Sequence, residues 1–148
     1  MRLDPKGLRA SANFGLLEAG LVYPTFYAKL YVDLRQAMSA AAVAARTARK
    51  GVWERDVTTS GFRLRTRSQL SDELVILPKL FRRLVDYLGL DEEGGVSLSG
   101  FAHYLDTRDD RLFTVPDGQA TELATLVQVR RQSVQLDVEP ERIVFQEA

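Results

Sequence analysis

The chain has 148 residues, 45% of them hydrophobic and 27% charged, with a formal net charge of +0, so it is long enough for one globular domain and carries no global bias toward nucleic acid or anionic lipid. It contains no cysteine and a single histidine, His103, which excludes disulfides, Cys-ligated zinc, iron–sulfur clusters, thiol nucleophiles and any multi-histidine metal site within one chain. Met1 to Lys6 is polar and no apolar run approaches the ~20 residues that span a bilayer, so the expectation is a cytoplasmic protein without a membrane partner.

Met1 to Ser11 shows no periodicity, and Asp4-Pro5-Lys6-Gly7 is a turn signal. Ser11 or Asn13 is positioned to cap a short helix carrying Phe14, Leu16, Leu17 and Leu21 on one side, with Gly20 as its stop. Tyr23, Phe26 and Tyr27 then load an aromatic bend around Pro24. Asp33 to Lys50 reads as the longest helix, because Leu34, Met38, Ala41, Ala45 and Ala48 recur every three or four residues. That stripe is mostly alanine and requires a partner backbone close by. Arg46, Arg49 and Lys50 complement the helix dipole at its end. Gly51 is expected to terminate the helix, with Val52 and Trp53 folding back on it.

Glu54 to Ser68 is polar, with Thr58-Thr59-Ser60-Gly61 as the expected linker. In extended conformation Arg63, Arg65 and Arg67 share one side. Ser71-Asp72-Glu73 reads as a helix start and Pro78 as a fresh first turn. Leu80, Phe81, Leu84, Val85 and Leu88 follow as one apolar face, closed by Gly89. Asp91 to Gly95 is an acidic loop, and Ser97 or Ser99 is expected to start a helix containing Phe101, Tyr104 and Leu105.

Beyond Asp110 the pattern turns to strands. Leu112 to Val115 is one, followed by a turn at Pro116-Asp117-Gly118. Thr125 to Arg130 and Ser133 to Val138 form a hairpin, and Ile143 to Phe145 a last short strand. The expected class is α+β, with helices of residues 12–105 packed on one another and a small antiparallel C-terminal sheet from residues 111–146.

Asn13, the run Leu16-Leu17-Glu18-Ala19-Gly20-Leu21, the aromatics Tyr23, Phe26 and Tyr27, and the close Arg49-Lys50-Gly51-Val52-Trp53 occur in one order and spacing. Together they resemble the C-terminal helical part of the staphylococcal nuclease (thermonuclease) family. The resemblance covers residues 13–53, and divides the chain into a nuclease-like segment, 1–62, and an α+β extension, 63–148, packed as one unit. It implies calcium-dependent phosphodiester cleavage on a small oligonucleotide-binding barrel, where two arginines hold the phosphate, a glutamate handles the attacking water and aspartates hold the metal. All those positions precede the point matching Asn13. Only Arg2 and Arg9 stand upstream, outside the required strand context, so no catalytic residue carries over, and calcium is expected only with an upstream barrel. Tyr23 approximately matches a position that in the family lies against the bound nucleotide.

The expected function is therefore a nuclease-derived module, non-catalytic by itself, that binds nucleic acid. The candidate contacts are Tyr23, Tyr27, Arg46, Arg49, Lys50, Arg63, Arg65 and Arg67. Two plainer readings stand beside this one: the tyrosines pack the bend, and the arginines meet the acids of Asp91 to Glu93 and Asp106 to Asp110 in ion pairs. The alternatives are the C-terminal portion of an active nuclease with its barrel upstream, and a structural or protein-interaction domain; the apolar face a barrel would bury is expected to be covered by the C-terminal sheet, by a second copy or by an upstream part. Asp91-Glu92-Glu93 fails as a calcium loop, since Val96 stands where glycine is required and Ala102 where the bidentate glutamate belongs. His103 is expected to be a half-buried structural residue.

Overall fold

The computed structural model describes residues 11–89 and 96–146, together with Gly7, which is helical. The turn expected at Asp4-Pro5-Lys6, the upstream arginines Arg2 and Arg9, and the acidic loop Asp91 to Gly95 lie outside the described residues.

The chain is α+β. Helix α1 (Ala12–Glu18) starts where Ser11 accepts the Phe14 N–H on its side chain. It ends in a Schellman turn in which Gly20 N–H donates to Leu17 O and Leu21 N–H to Leu16 O. Strand β1 (Phe26–Tyr27) leads to helix α2 (Val32–Thr47), which closes the same way: Arg49 N–H donates to Arg46 O and Lys50 N–H to Ala45 O. The left-handed residue of this second turn is Arg49, at φ 55°, and not Gly51 as the sequence suggests.

Gly51 is needed elsewhere. It opens a 3-10 turn (Gly51–Glu54) whose backbone crosses that of Gly20, and Val52 N–H donates to Gly20 O at 2.8 Å. A Cβ on Gly51 would collide with the Gly20 carbonyl oxygen and stand 2.7 Å from its carbon; one on Gly20 would meet the Lys50 carbonyl in the same way. The Gly-Leu and Lys-Gly-Val-Trp sequences are thus two halves of one backbone crossing. Beside it, Leu17, Ala41 and Ala42 make a small core with Phe14, Val22 and Met38, so the alanine stripe brings α1 close to α2. Ala48, the last residue of the expected stripe, is exposed.

Thr58 to Gly61 is no linker. Thr58 is fully buried: its hydroxyl accepts the Leu77 N–H at 2.9 Å, and its carbonyl accepts the Leu136 N–H. After strand β2 (Phe62–Arg63) comes the short helix α3 (Ser68–Asp72). Ser71-Asp72 therefore ends a helix instead of starting one. Beyond it, Val75 bridges to Asp56, and the Thr58 bond to Leu77 holds residues 75–77 extended, which buries Ile76 and Leu77. Helix α4 (Pro78–Leu88) has Pro78 in its first turn. Its inner face is Leu80, Leu84 and Arg83, whereas Phe81 is 37% exposed. Helix α5 (Phe101–Arg108) has Gly100 at its N-cap, while Ser97 and Ser99 bond each other. His103 is exposed on this helix, not half-buried.

The C-terminal third supplies β3 (Arg111–Thr114), β4 (Ala120–Glu122), the helical turn α6 (Leu123–Leu126), β5 (Val127–Arg130), β6 (Ser133–Leu136), a 3-10 turn (Pro140–Arg142) and β7 (Ile143–Phe145). The described residues form two sheets where one was expected, and each recruits a strand from the N-terminal half. The first has order β1-β7-β3-β4, with β1 parallel to β7; the second has order β2-β6-β5 and is antiparallel. Between them and α4–α5 lies the main core, in which Leu64, Leu80, Leu84, Phe101, Leu112, Leu123, Val134 and Leu136 are all inaccessible to solvent. Two-residue strands carry too little periodicity to stand out in the sequence, and it is their pairing that ties the N-terminal half to the C-terminal sheets.

Candidate nucleic-acid interface

The β5–β6 hairpin turns at Arg131-Gln132, with Arg131 at φ 56°, and pairs Arg130 with Ser133, Gln128 with Gln135 and Val127 with Leu136. On the other side of β6, Phe62 pairs with Val134 and Arg63 with Ser133. Residues opposite one another in register project to the same face. Phe62, Val127, Val134 and Leu136 face the core and are buried. The other face carries the row Arg63–Ser133–Arg130 and, behind it, Gln135–Gln128.

Arg63 and Arg130 are both exposed and stand two strand spacings apart, about 10 Å between backbones. Neither forms an ion pair with any described residue. An open concavity of about 520 Å³ lies over this face, closed at its sides by Ser60, Gly61 and Asp137. The chain leaving β2 extends the basic surface. Leu64 is buried, its N–H donates to Gln132 O at 2.7 Å, and Arg65 beyond it is exposed. Gln69 holds this bend by accepting the Arg65 and Thr66 N–H groups and donating to Arg63 O. Arg67 does not continue the row: its backbone is already helical, at φ −67° and ψ −29°, and its side chain is half-buried.

The remaining expected contacts sit elsewhere, and none lines this concavity. Arg46, on the last turn of α2, pairs through Nε and Nη2 with Glu141 Oε1 at 2.8 and 2.5 Å, and Glu141 is buried. Arg49 reaches the Glu54 carbonyl at 3.4 Å, and Lys50 is exposed beside it. Tyr23 stands edge-on to buried Trp53 with ring centroids 5.0 Å apart and donates its hydroxyl to Asp56 at 2.6 Å. Burial, with the Asp56 hydrogen bond and charge added, pushes the Tyr23 phenol well above the usual tyrosine range. Tyr27 packs against Phe145 at 6.0 Å.

A second group of charges gathers at the start of β3. Arg83 donates from Nε and Nη2 to the two oxygens of Asp110 at 2.7 and 2.8 Å, and Lys79 lies 3.5 Å from the same carboxylate. The basic helix and the acidic segment after α5 do meet here in the fold. The hydrogen bonds that Arg83 donates to Asp110 hold its guanidinium above the ordinary arginine range. Burial pushes the Asp110 carboxyl up, but the bonds and charges of Arg83 and Lys79 outweigh it and hold Asp110 below the ordinary carboxylate range.

The residues that sequence reasoning missed are Arg130, Ser133, Gln128 and Gln135. Their signal was present: the alternation of Val134 and Leu136 with polar neighbours points Ser133 and Gln135 outward, and a two-residue turn sets Arg130 opposite Ser133. What no local pattern contains is β2, which brings Arg63 to the same row. The face offers guanidinium forks, a hydroxyl and amides, a set suited to phosphate oxygens. The aromatic residue in its lining, Phe62, is buried in the main core and offers no exposed ring for stacking. Among the described residues no group of three or more His, Cys, Asp or Glu side chains is placed to hold a metal ion, and no described helix is long and apolar enough to cross a membrane. Comparisons with protein-family models, with curated proteins and with solved structures find no match.

Proposed function

We propose that this chain is a nuclease-derived module, non-catalytic by itself, that binds the phosphate backbone of nucleic acid through the outer face of the β2-β6-β5 sheet. The observation that carries the reading is the row Arg63–Ser133–Arg130, which sets two exposed arginines without described ion-pair partners on either side of a hydroxyl. With guanidiniums but no stacking platform, the face reads charge and not base identity. Descent from the staphylococcal nuclease family is supported by the Gly20–Gly51 crossing, which gives the two ends of the resembling segment one shared structural reason.

The test is fluorescence anisotropy of a labelled single-stranded oligonucleotide across a salt series. Non-specific affinity in the range of about 10⁻⁴–10⁻⁶ M is expected, falling with salt. An Arg63→Ser, Arg130→Ser double variant should bind more weakly and lose about 1.4 from the slope of log affinity against log salt, about 0.7 for each phosphate released. An unaltered slope would remove the sheet face from consideration.

A second reading is favoured by the outer side of α2. There Ala40, Val43 and Ala44 form one wall of an open groove of about 770 Å³ with Val115 and Pro116 opposite. In this reading the chain is the C-terminal part of an active calcium-dependent nuclease, and an upstream barrel occupies the groove. Calcium-dependent cleavage by a longer product of the same reading frame, lost when Val43 is changed to Asp, would establish it.

A further inference from the structure

We propose that the cavity between the start of α4 and the β3 and β7 ends is a binding site for a phosphate-type oxyanion, separate from the sheet face. This partly open cavity has a volume of about 400 Å³, and its walls carry four cationic side chains and two carboxylates: Lys79, Arg83, Arg108 and Arg111 against Asp109 and Asp110. The partnering is uneven. Arg83 occupies both oxygens of Asp110 in a bidentate fork, and its third nitrogen reaches Asp86 on the exposed side at 3.3 Å. Arg111 meets Asp109 at 3.2 Å.

Lys79 therefore shares, at 3.5 Å, a carboxylate whose two oxygens both already accept from Arg83, although its side chain is 13% exposed and that of Asp110 is 9% exposed. Its ammonium otherwise lies over the Phe145 ring at 5.4 Å. Arg108, exposed at the cavity mouth, forms no ion pair with a described residue. Arg83 has the half-exposed Asp86 as a second partner, whereas Lys79 has no carboxylate of its own among the described residues, and a cation taken from water needs a compensating charge. Arg83 is held by its fork on Asp110 and Lys79 stands one helical turn before it, so an oxyanion entering past Arg108 meets an ammonium whose only ion-pair partner among the described residues is shared. The volume also accommodates the organic body of a phosphate monoester, with the Phe145 ring as its apolar neighbour.

Calorimetric titration of the full chain tests this, first with inorganic phosphate and then with a short oligonucleotide carrying or lacking a 5′-phosphate. Saturable binding of inorganic phosphate at millimolar concentration is expected, weakened about tenfold by Lys79→Met and several-fold by Arg108→Ser. Arg108 is exposed at the mouth, so Arg108→Ser should leave the urea midpoint unchanged and remain informative if Lys79→Met fails to fold. Tighter binding of the 5′-phosphorylated oligonucleotide, with the increment abolished by Arg108→Ser, identifies a terminal phosphate as the ligand. Binding of inorganic phosphate without that increment identifies the free anion. Absence of saturable phosphate binding, or an affinity untouched by both variants, overturns the site. Arg63→Ser and Arg130→Ser should leave phosphate affinity unaltered, so this site and the sheet face fail independently.

Discussion

Replacing Gly51 by alanine probes the backbone crossing that joins α1 to the end of α2. The new Cβ would collide with the Gly20 carbonyl oxygen and stand 2.7 Å from its carbon, well inside ordinary van der Waals contact. Three costs combine. A φ of +56° disfavours any residue with a Cβ by about 1–2 kcal/mol. Forcing the two backbones apart costs about 1–3 kcal/mol, as overpacking of a close-packed site does. Separation also lengthens the 2.8 Å bond from Val52 N–H to Gly20 O, worth about 1 kcal/mol. These terms overlap, and the net expectation is a loss of about 4 kcal/mol, or about 8–16 °C in Tm for a chain of this size. Urea denaturation followed by circular dichroism reads it directly. Gly118→Ala is the matched control: its φ is +66° but nothing lies within 4 Å, so only the conformational cost of about 1–2 kcal/mol applies. Gly15→Ala, within α1 and equally free of neighbours, should be neutral or stabilising by about 0.5–1 kcal/mol. Equal losses for Gly51→Ala and Gly118→Ala would refute the steric reasoning and leave only the backbone conformation.

Tyr23→Phe should cost about 1.5 kcal/mol by urea denaturation, the low end for a bond to a charged group, because Asp56 keeps the Thr58 hydroxyl and N–H. A loss below a few tenths would show that the phenol is not holding Asp56. Arg46→Ala strips the buried Glu141 of its partner and should destabilise by about 1–3 kcal/mol, less than for a fully buried pair because Arg46 is half-exposed; Glu141→Gln should recover part of that loss in the Arg46→Ala background. The folded-state pKa of Asp110 lies below the ordinary carboxylate range, so its contribution is complete above about pH 4 and disappears as pH falls through its folded value. Between neutral pH and about pH 3 the wild-type chain should therefore lose more stability than Asp110→Asn, and parallel profiles would contradict the Arg83–Asp110 pairing.

The elements legible in the sequence are those that a local rule governs. Ser11 caps α1, Gly20 and Gly89 stop helices at positive φ, Pro78 opens α4, and the alternation of Ser133 to Leu136 marks a strand. The misreadings share one cause, which is a long-range partner overruling a local signal. Gly51 looks like a helix stop, but its contact is Gly20, thirty-one residues away in sequence. Ser71-Asp72 looks like a helix start until Thr58 and Asp56 draw the following segment into extended conformation. Arg83 sits on a face that periodicity assigns to solvent, and its buried charge is compensated chiefly by Asp110, across the fold, with Asp86 three residues on as a second partner. The candidate interface divides along the same line. Arg63 and Arg65 were visible as outward-facing cations, whereas Arg130 and Ser133 join them only through the pairing of a two-residue strand that no local pattern announces.

The most direct measurement is the salt dependence of oligonucleotide affinity for the wild-type chain and for the Arg63→Ser, Arg130→Ser double variant, at concentrations where both are folded. Phosphate binding by the β2-β6-β5 face predicts weaker binding by the variant and a slope shallower by about 1.4. Identical affinity and identical slope would contradict it.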